Sequence, residues 1–352
     1  MLDLQVRKRL RDFELQIALS VPAGETLAVI GPSGAGKTSV LALIAGLMTP
    51  DEGRIVVGDR VLFDSARRIN VPPEQRLLGY VLQEYALFPH MTVLRNIEYG
   101  MEARRMPRDE IARRSAETMR MLGISHLAGV RPTRISGGER QRVALARAIA
   151  AGGQVLLLDE PLAALDAQTR QNARGDLRRV IQSVGVAAVF VTHDYVDALA
   201  FGDRICVIDR GEVVQMGSQE DLLLRPKARF VAEFMGVNFL HGTAQPPQDG
   251  VSKVLVDGIE VSTTLEEPGE VFLAFSPVDV TLSAEPPAGS AQNVFRATVT
   301  ALLQLGGRIR VDLDAGFPLV AELTPDSVAR LGLEIGSNVY ASFKATAIEA
   351  YR

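Results

Sequence analysis

A short segment near the N-terminus has the residue types and spacing of a phosphate-binding loop. Residues 31–38 read Gly-Pro-Ser-Gly-Ala-Gly-Lys-Thr, which fits the pattern Gly-x-x-x-x-Gly-Lys-Thr. The glycines let successive backbone N–H groups surround a phosphate, the Lys37 ammonium adds positive charge, and the Thr38 hydroxyl can ligate magnesium. A glycine-rich turn without a ligand is the alternative, so the flanking sequence has to decide.

The flanking sequence agrees with a phosphate site. The apolar run at residues 26–30 predicts a buried strand before the loop, and residues 38–46 have a helix-forming composition that ends in glycine. A helix that starts at the loop directs the positive end of its dipole at the phosphates. We therefore predict a nucleotide cradle between a strand and a helix.

Two carboxylates and a histidine come after later apolar runs. Asp159 and Glu160 follow Val-Leu-Leu-Leu at 155–158, and His193 comes shortly after the run at 187–191. We predict that Asp159 holds magnesium through water, that Glu160 polarises the water attacking the γ-phosphate of ATP, and that His193 donates to this phosphate. Adjacent carboxylates can instead form a solvated turn and a lone histidine is often structural, but the cradle favours the functional interpretations.

Two further segments complete the predicted site. Gln83 ends the apolar run at 78–82, so its amide can sense the metal or the attacking water, although a surface glutamine is the alternative. Ser-Gly-Gly-Glu at 136–139 precedes a helix predicted over 140–151, whose N–H groups and dipole make a second phosphate site. Because one nucleotide does not need two such sites from one chain, we expect a homodimer that closes over ATP.

The elements that must position these residues change in type along the chain. Residues 1–30 alternate apolar and polar side chains, which is typical of half-buried antiparallel strands, and residues from about 90 to 152 indicate a helical insertion. Three later apolar runs separated by helices predict a parallel sheet covered on both faces, with ligands at the carboxyl ends of its strands. Beyond about residue 235, short alternating strands predict an all-β module of small, OB-like barrels.

Length and composition limit the class of function. The chain has 352 residues, 47% of them hydrophobic, enough for two domains, and its net charge of −4 argues against a broad nucleic-acid surface. Cys206 lies in an apolar run and is expected to act as a small core hydrophobe. The sequence shows neither a signal-peptide pattern nor an apolar run near the roughly 20 residues that span a bilayer, so we expect a cytoplasmic protein.

Residues 1 to about 235 resemble the ATPase subunit of an ABC transporter. The matching motifs occur in the family's order: the cradle, Gln83, Ile-Ser-Gly-Gly-Glu-Arg-Gln-Arg at 135–142, Asp159-Glu160, Ala-Leu-Asp at 164–166, and His193. The resemblance implies an α/β fold with a P-loop ABC ATPase core and a helical subdomain. It also implies two nucleotides sandwiched head-to-tail, each between the cradle of one subunit and the Ser136 segment of the other.

The resemblance extends the site and shows small departures. Phe13 matches the position of the family's adenine-stacking aromatic residue, although an ordinary core phenylalanine is the alternative. Ile135, Glu139 and Ala163 stand where the family usually has leucine, glutamine and often serine. These departures put the contacts of those side chains in doubt and leave catalysis credible.

The candidate residues form three sets around ATP and Mg²⁺. The catalytic candidates are Glu160, His193 and Gln83. The metal candidates are Thr38, Gln83 and Asp159. The nucleotide-binding candidates are Phe13, Gly31, Pro32, Ser33, Gly34, Ala35, Gly36, Lys37, Thr38, Ser39, Ser136, Gly137, Gly138, Glu139 and Asp166.

The end of the chain resembles the molybdate-binding Mop domain. The matching segments are 290–293, 306–307, 319–322, 331–333 and 340–346, with a departure at 296–297, where the family often has glycine. A tetrahedral dianion is bound by amides, hydroxyls and one cation, and Ser290, Lys344 and Thr346 are the candidates to supply them at a subunit contact. A scaffold barrel that only dimerises is the alternative.

We predict an ATPase domain over 1–234, with a helical subdomain at about 84–152, and a β-rich regulatory domain over 235–352, Mop-like from 289. Together the resemblances imply the ATPase subunit of a molybdate importer, with tungstate as a near neighbour in size and charge. The implied partners are integral membrane permease subunits and, indirectly, a periplasmic or extracellular oxyanion-binding protein, which places the chain on the cytoplasmic face of the cell membrane as a peripheral protein.

The sequence is compatible with alternatives for three features. Residues 85–97 resemble the surface that receives a permease's cytoplasmic helix, but their apolar side chains can equally pack the insertion. The cargo can be sulfate, ferric ion or polyamine instead of molybdate. A soluble ABC ATPase acting on nucleic acid or ribosomes is a further alternative, which the few aromatic and cationic residues of 291–352 disfavour.

Overall fold

The buried apolar runs of the first part of the chain form the centre of one mixed sheet. The computed structural model describes residues 1–163, 165–248 and 250–352, which divide into two units, Met1–Gln219 and Glu220–Arg352. The strands of the first unit are β1 Leu2–Arg9, β2 Glu14–Val21, β3 Thr26–Ile30, β4 Glu52–Val57, β5 Arg60–Asp64, β6 Ile69–Asn70, β7 Gly79–Val81, β8 Val155–Asp159, β9 Ala187–Val191, β10 Arg204–Asp209 and β11 Glu212–Gly217.

The strand order is β6-β5-β4-β1-β2-β11-β10-β3-β9-β8-β7. Neighbouring strands run parallel from β10 through β3, β9 and β8 to β7, so their carboxyl ends lie along one edge. Every residue of β3, β8 and β9 is buried, because helices cover both faces of such a sheet. The predicted parallel sheet is confirmed, as is the antiparallel pairing of β1 with β2.

The helices of the first unit are α1 Lys37–Ala45, α2 Val93–Ala103, α3 Arg108–Met121, α4 Gly137–Ala150, α5 Ala167–Val184 and α6 Tyr195–Phe201. The predicted helical insertion corresponds to α2, α3 and α4. The start of α4 differs from the prediction of residue 140: the helix begins at Gly137 because Ser136 is its N-cap. Therefore Gly137, Gly138 and Glu139 provide the first N–H groups of α4.

The fully buried Arg76 stabilises the C-terminal end of α1. No sequence pattern predicted this role. Its guanidinium donates to the carbonyls of Leu43 and Ile44, each at 2.8 Å, and to the carbonyl of Val71 at 2.8 Å. Burial lowers the pKa of Arg76 to about 10, so the group stays charged at neutral pH. It thus satisfies the last carbonyls of the helix that begins at the phosphate loop.

Cys206 is fully buried in β10, as expected of a core residue. Burial raises the pKa of its thiol to about 12, so the group is a thiol at neutral pH. None of the helices formed by the described residues is long and apolar enough to cross a membrane.

The second unit contains α7 Gln219–Leu224, α8 Arg229–Met235, β12 Asn238–Ala244, β13 Ser252–Val256, β14 Ile259–Thr263, β15 Gly269–Phe275, β16 Thr281–Ser283, β17 Asn293–Leu305, β18 Arg308–Asp314, β19 Pro318–Leu323, α9 Pro325–Leu331, β20 Asn338–Phe343 and β21 Glu349–Tyr351. Its described strands pair in two antiparallel sheets, in the orders β14-β13-β12-β15-β21 and β16-β20-β17-β18-β19. Both sheets contribute to one apolar core, in which Phe275 and Phe343 stack with ring centroids 4.5 Å apart.

The second unit begins before the boundary predicted after residue 234. Helix α8 packs on β12, and the Tyr351 hydroxyl donates to the carbonyl of Pro226. Arg225 and Glu349 form an ion pair of 2.8 Å. These contacts tie the residues just before 235 to the β-rich unit, so a boundary near Gln219 describes the packing better than one after residue 234.

We expect Arg76→Met to lower the free energy of unfolding by about 3 kcal/mol, because it leaves buried carbonyls without a donor. Urea unfolding followed by circular dichroism measures the change. The matched control is Arg60→Met, because Arg60 is exposed on β5, and it should change stability by no more than about 0.5 kcal/mol. Equal losses in the two variants would contradict the assigned role of Arg76.

Candidate active site

The phosphate loop connects β3 to α1, and its backbone conformation depends on glycine. A Cβ atom at Gly31 would lie 2.0 Å from the carbonyl oxygen of Ile208, so no larger residue fits. Gly36 is the N-cap of α1 and has φ of 102°, in the left-handed region. Ser33 and Gly34 are exposed at the tip of the loop. The tip therefore has open backbone for an incoming phosphate.

Lys37 lies inside the loop rather than on its surface. Its side chain is buried, and the ammonium donates to the carbonyls of Gly31 and Pro32, each at 2.9 Å. Burial lowers the pKa of Lys37, while Glu160 and then Asp159 raise it. Because an ammonium has three donors, one N–H remains for a phosphate.

Asp159 ends β8 beside the first turn of α1. Thr38 Oγ1 donates to Asp159 Oδ1 at 3.3 Å, and Tyr80 of β7 hydrogen-bonds to the same carboxylate. Burial is the largest cause that raises the pKa of Asp159, and the hydrogen bond from Thr38 opposes it. Burial and Asp159 together raise the pKa of Tyr80 to about 12. No sequence motif marks Tyr80, whose contact with Asp159 follows from the pairing of β7 with β8.

The three catalytic candidates meet at the carboxylate of Glu160. His193 Nδ1 lies 3.0 Å from Glu160 Oε1, and Gln83 Nε2 donates to Glu160 Oε2 at 3.3 Å. Glu160 itself has φ of 45°, a left-handed conformation that is unfavourable for a residue other than glycine. The side chains of Gln83 and His193 are exposed, whereas that of Glu160 is mostly covered. The carboxylate is thus held between two polar groups at the edge of the sheet.

The residues expected to hold Mg²⁺ offer suitable donors. Magnesium takes hard oxygen ligands and usually keeps several waters and substrate phosphates. The Thr38 hydroxyl and the Asp159 carboxylate lie side by side next to the cradle, and the amide oxygen of Gln83 is a further donor of this kind. Among the described residues, no group of three or more His, Cys, Asp and Glu side chains forms a metal site. The donor set therefore fits an ion that receives its other ligands from nucleotide and water.

The loops that carry Glu160 and His193 are braced by arginines of α5. Arg170 donates to the carbonyls of Ala163 and Leu165 at 3.4 and 3.3 Å, and lies 3.4 Å from Asp194, the neighbour of His193. Arg174 pairs with the same aspartate at 3.3 Å. Neither arginine could be identified from the sequence, because basic residues in a charged helix carry no distinguishing signal.

The Ser136 segment forms a capping box at the start of α4. Ser136 donates from its backbone N–H and from its hydroxyl to Glu139 Oε2, both at 2.8 Å, and the Glu139 N–H donates back to the hydroxyl. The two hydrogen bonds from Ser136 lower the pKa of Glu139. Glu139, which differs from the family's usual glutamine, thus has a structural role at this helix N-terminus.

The remaining nucleotide-binding candidates lie around the loop with different exposure. Phe13 is half-buried against the core, and its ring would lie 3.5 Å from a Cβ atom at Gly36, so it stands beside the cradle. Ala35 is buried and Ser39 is half-buried. Asp166 is exposed, and its carbonyl accepts from the N–H of Arg170. Ala164 of the predicted Ala-Leu-Asp motif lies outside the described residues.

The oxyanion candidates do not form a desolvated pocket in one chain. Ser290, Lys344 and Thr346 are all exposed. Thr346 lines a cleft that also contains the carboxylates of Asp279 and Glu349. The Asp279 carboxylate opposes the binding of a dianion at this position, whereas the charge of Glu349 is balanced by its ion pair with Arg225.

Comparison with protein families matches two segments of the chain. Residues 15–163 match the ABC transporter family, and residues 289–350 match the TOBE domain family. The first segment contains the cradle, the Ser136 segment and Glu160. The second covers most of the segment that resembles a Mop domain.

Curated proteins are similar over nearly the whole chain. The molybdate/tungstate import ATP-binding protein WtpC of Pyrococcus horikoshii is 40% identical over 98% of each chain. The molybdenum import ATP-binding protein ModC of Mycobacterium tuberculosis is 39% identical over 97% of this chain and 95% of its own. The sulfate/thiosulfate import ATP-binding protein CysA of Mycolicibacterium paratuberculosis is 38% identical over 95% of this chain and 86% of its own.

A solved structure with a similar fold is the dimer of an ATP-binding cassette in a post-hydrolysis state, bound to ADP and Pi. It has a TM-score of 0.52 and 30% sequence identity, and it covers 62% of this chain and 98% of its own.

Proposed function

This chain belongs to the ABC transporter family, as the ATP-binding subunit of an importer, and we propose that it hydrolyses ATP as a homodimer to drive import of molybdate or tungstate. The observation that carries the proposal of hydrolysis is the Glu160 carboxylate, held between His193 and Gln83 next to the cradle. The cargo is argued from the similarity to molybdate and tungstate importers.

In the proposed complex, the backbone of the segment from Gly31 to Ser39 surrounds the phosphates of ATP. Lys37 offsets their negative charge and donates to them from the one N–H that does not bind a loop carbonyl. Phe13 stacks on the adenine from its position beside Gly36. Thr38, Asp159 and Gln83 would hold Mg²⁺, which when bound stabilises the negative charge that spreads over the phosphates.

Glu160 is proposed to accept the proton of the attacking water. Gln83 holds one carboxylate oxygen and His193 the other, so rotation of the carboxylate is limited before the water arrives. With both ring nitrogens protonated, His193 contacts Glu160 through Nδ1 and can donate from Nε2 to the γ-phosphate as charge develops on it. Placing the carboxylate between these two groups requires a strained, left-handed backbone conformation at Glu160.

A second subunit is proposed to complete the site. The first N–H groups of α4 have no partner within the helix, and Ser136 and Glu139 fix their direction through the capping box. The segment from Ser136 to Glu139 would then contact the γ-phosphate of the nucleotide bound by the other subunit. The dimeric arrangement of the similar ATP-binding cassette supports this proposal.

Molybdate or tungstate is favoured over sulfate, although the identities differ little. The molybdate/tungstate and molybdenum relatives cover more of their own length than the sulfate/thiosulfate relative does, 98% and 95% against 86%. The match to the TOBE domain at the end of the chain agrees with the predicted Mop-like segment. We also propose that the chain lies at the cytoplasmic face of the cell membrane, bound to permease subunits that receive cargo from an oxyanion-binding protein.

We expect Glu160→Gln to lower the kcat of ATP hydrolysis by roughly 100-fold or more, because an amide cannot accept the proton of water. Nucleotide binding should persist, because the cradle is unchanged, and the variant should accumulate as an ATP-bound dimer. Steady-state turnover and size-exclusion chromatography with ATP and Mg²⁺ measure the two effects.

Glu84→Gln is the matched control, since Glu84 is an exposed carboxylate next to Gln83 in the chain. This control should turn over ATP at the native rate and remain free of the trapped dimer. Full turnover by Glu160→Gln would refute the assigned role, and native turnover by protein that remains a monomer in size-exclusion chromatography with ATP and Mg²⁺ would refute the dimer.

If molybdate or tungstate is the cargo, these anions should stimulate ATP hydrolysis by the assembled transporter. In proteoliposomes with the permease and its binding protein, molybdate and tungstate should raise ATP turnover, whereas sulfate, ferric ion and polyamines should not. If only sulfate stimulates turnover, the chain is the ATPase subunit of a sulfate importer instead. Stimulation by nucleic acid without the permease would favour a soluble ABC ATPase.

We also propose that molybdate binds the C-terminal unit between two copies of the chain, through Ser290, Lys344 and Thr346. Calorimetry of the full chain should then detect molybdate binding that Lys344→Ala weakens at least about tenfold, because a charge-assisted hydrogen bond is lost. Lys253→Ala, which removes a lysine paired with Glu260, is the control. Equal affinities in the two variants would rule out Lys344 as a ligand.

A further inference from the structure

The loop that follows β7 has an unusual backbone. Tyr85 and Ala86 have φ of 62° and 44°, so two consecutive residues other than glycine adopt the left-handed conformation. Such a conformation persists only where surrounding contacts fix it. The contacts of this loop therefore show what the fold holds in place here.

Arg147 of α4 holds the loop from the helical side. Its guanidinium donates to the carbonyl of Tyr85 at 2.7 Å and to that of Ala86 at 2.8 Å. The same group lies 5.6 Å from the ring centroid of Phe88. Because both hydrogen bonds come from one planar group, they fix the orientation of the two peptide units.

Asn96 of α2 holds the other end of the loop. Its side chain is fully buried, accepts from the N–H of Phe88 at 2.8 Å and donates to the carbonyl of Phe88 at 3.1 Å. The segment from Tyr85 to Phe88 is thus attached to two helices through its backbone. A side chain that leaves this segment therefore starts from a fixed position.

The side chain of Tyr85 leaves the segment toward the catalytic edge of the sheet. Its ring is buried, and its hydroxyl donates to the carbonyl of Pro161 at 3.1 Å. Burial raises the pKa of Tyr85, which keeps the hydroxyl a donor at neutral pH. Pro161 follows Glu160 directly, and its ring restricts the backbone at this point. A displacement of the Pro161 carbonyl is consequently passed on to Glu160.

We propose that Tyr85 is a positioning residue for the Glu160 carboxylate and that Arg147 sets the position of Tyr85. The inference rests on the proposed function, since it takes Glu160 as the group that activates water. In this role the Tyr85 hydroxyl acts through the backbone of Pro161 and not by contact with the reacting atoms. Its hydrogen bond to Pro161 holds the turn in which Glu160 has its left-handed conformation.

The test is Tyr85→Phe, which removes only the hydroxyl. We expect the kcat of ATP hydrolysis by the full chain to fall about fivefold, the size of effect given by one ordinary hydrogen bond. The KM for ATP and the affinity for a non-hydrolysable ATP analogue should stay unchanged, because the cradle is not altered. Tyr99→Phe is the matched control, since the Tyr99 ring packs on Phe88 from an exposed position on α2.

A second variant, Arg147→Lys, keeps the charge but cannot make the two parallel hydrogen bonds. It should lower kcat in the same direction, and Tyr85→Phe combined with it should lose no more than the larger single loss. Equal kcat in Tyr85→Phe and Tyr99→Phe would overturn the proposal. So would a loss confined to KM or to analogue affinity, or single losses that multiply in the double variant.

Glu160→Gln separates failure of this inference from failure of the proposed function. If Glu160→Gln is inactive and Tyr85→Phe behaves like its control, the positioning role is wrong and the proposed function stands. If Glu160→Gln retains full turnover, the proposed function itself fails. With both roles correct, Tyr85→Phe should cause no further loss in the Glu160→Gln background, because its effect acts through that carboxylate.

Discussion

The candidate site depends on the balance of charge between Lys37 and the two carboxylates that end β8. Asp159 and Glu160 are adjacent in sequence, and burial together with their mutual repulsion raises the pKa of Asp159. Burial alone would favour a neutral Lys37, but both carboxylates favour its charged form. Two loop carbonyls bind the ammonium as well. The carboxylates and the loop carbonyls therefore keep Lys37 charged, while the Thr38 hydroxyl and Lys37 stabilise the Asp159 carboxylate against its repulsion by Glu160. A phosphate that enters adds an acceptor to a cation already in place.

The sheet topology is what brings these charges together. Parallel strands β3, β9 and β8 are neighbours, and their carboxyl ends lead into the loops that carry Lys37, His193 and Glu160. Close packing at this edge leaves no room for a side chain at Gly31. The arginines of α5 and the Tyr85 hydroxyl then hold the loops from outside the sheet. Precision in the site thus comes from contacts outside the motifs.

The sequence was sufficient to predict the strands and site residues that have a local sequence pattern. Apolar runs predicted the parallel strands, and the loop pattern and the residues at strand ends predicted the group formed by Lys37, Asp159, Glu160, Gln83 and His193. Other contacts had no such signature. Arg76 binds the carbonyl of a residue 33 positions away, Arg147 one 62 positions away and Tyr85 one 76 positions away. Since every residue has a carbonyl, the partner of such a donor can be identified only after the chain is folded.

The oxyanion candidates of the C-terminal unit, unlike the residues of the ATPase site, do not form a preformed binding site within one chain. Its predicted oxyanion ligands are exposed, and the cleft lined by Thr346 contains the carboxylates of Asp279 and Glu349. A dianion placed there in a single chain would be repelled by the Asp279 carboxylate, since Glu349 is paired with Arg225, and it would stay exposed to water. In the proposed arrangement, donors from a second copy outweigh that repulsion. We therefore propose that this chain responds to molybdate only through contact between copies, with ATP-dependent association as the step that links the anion to hydrolysis.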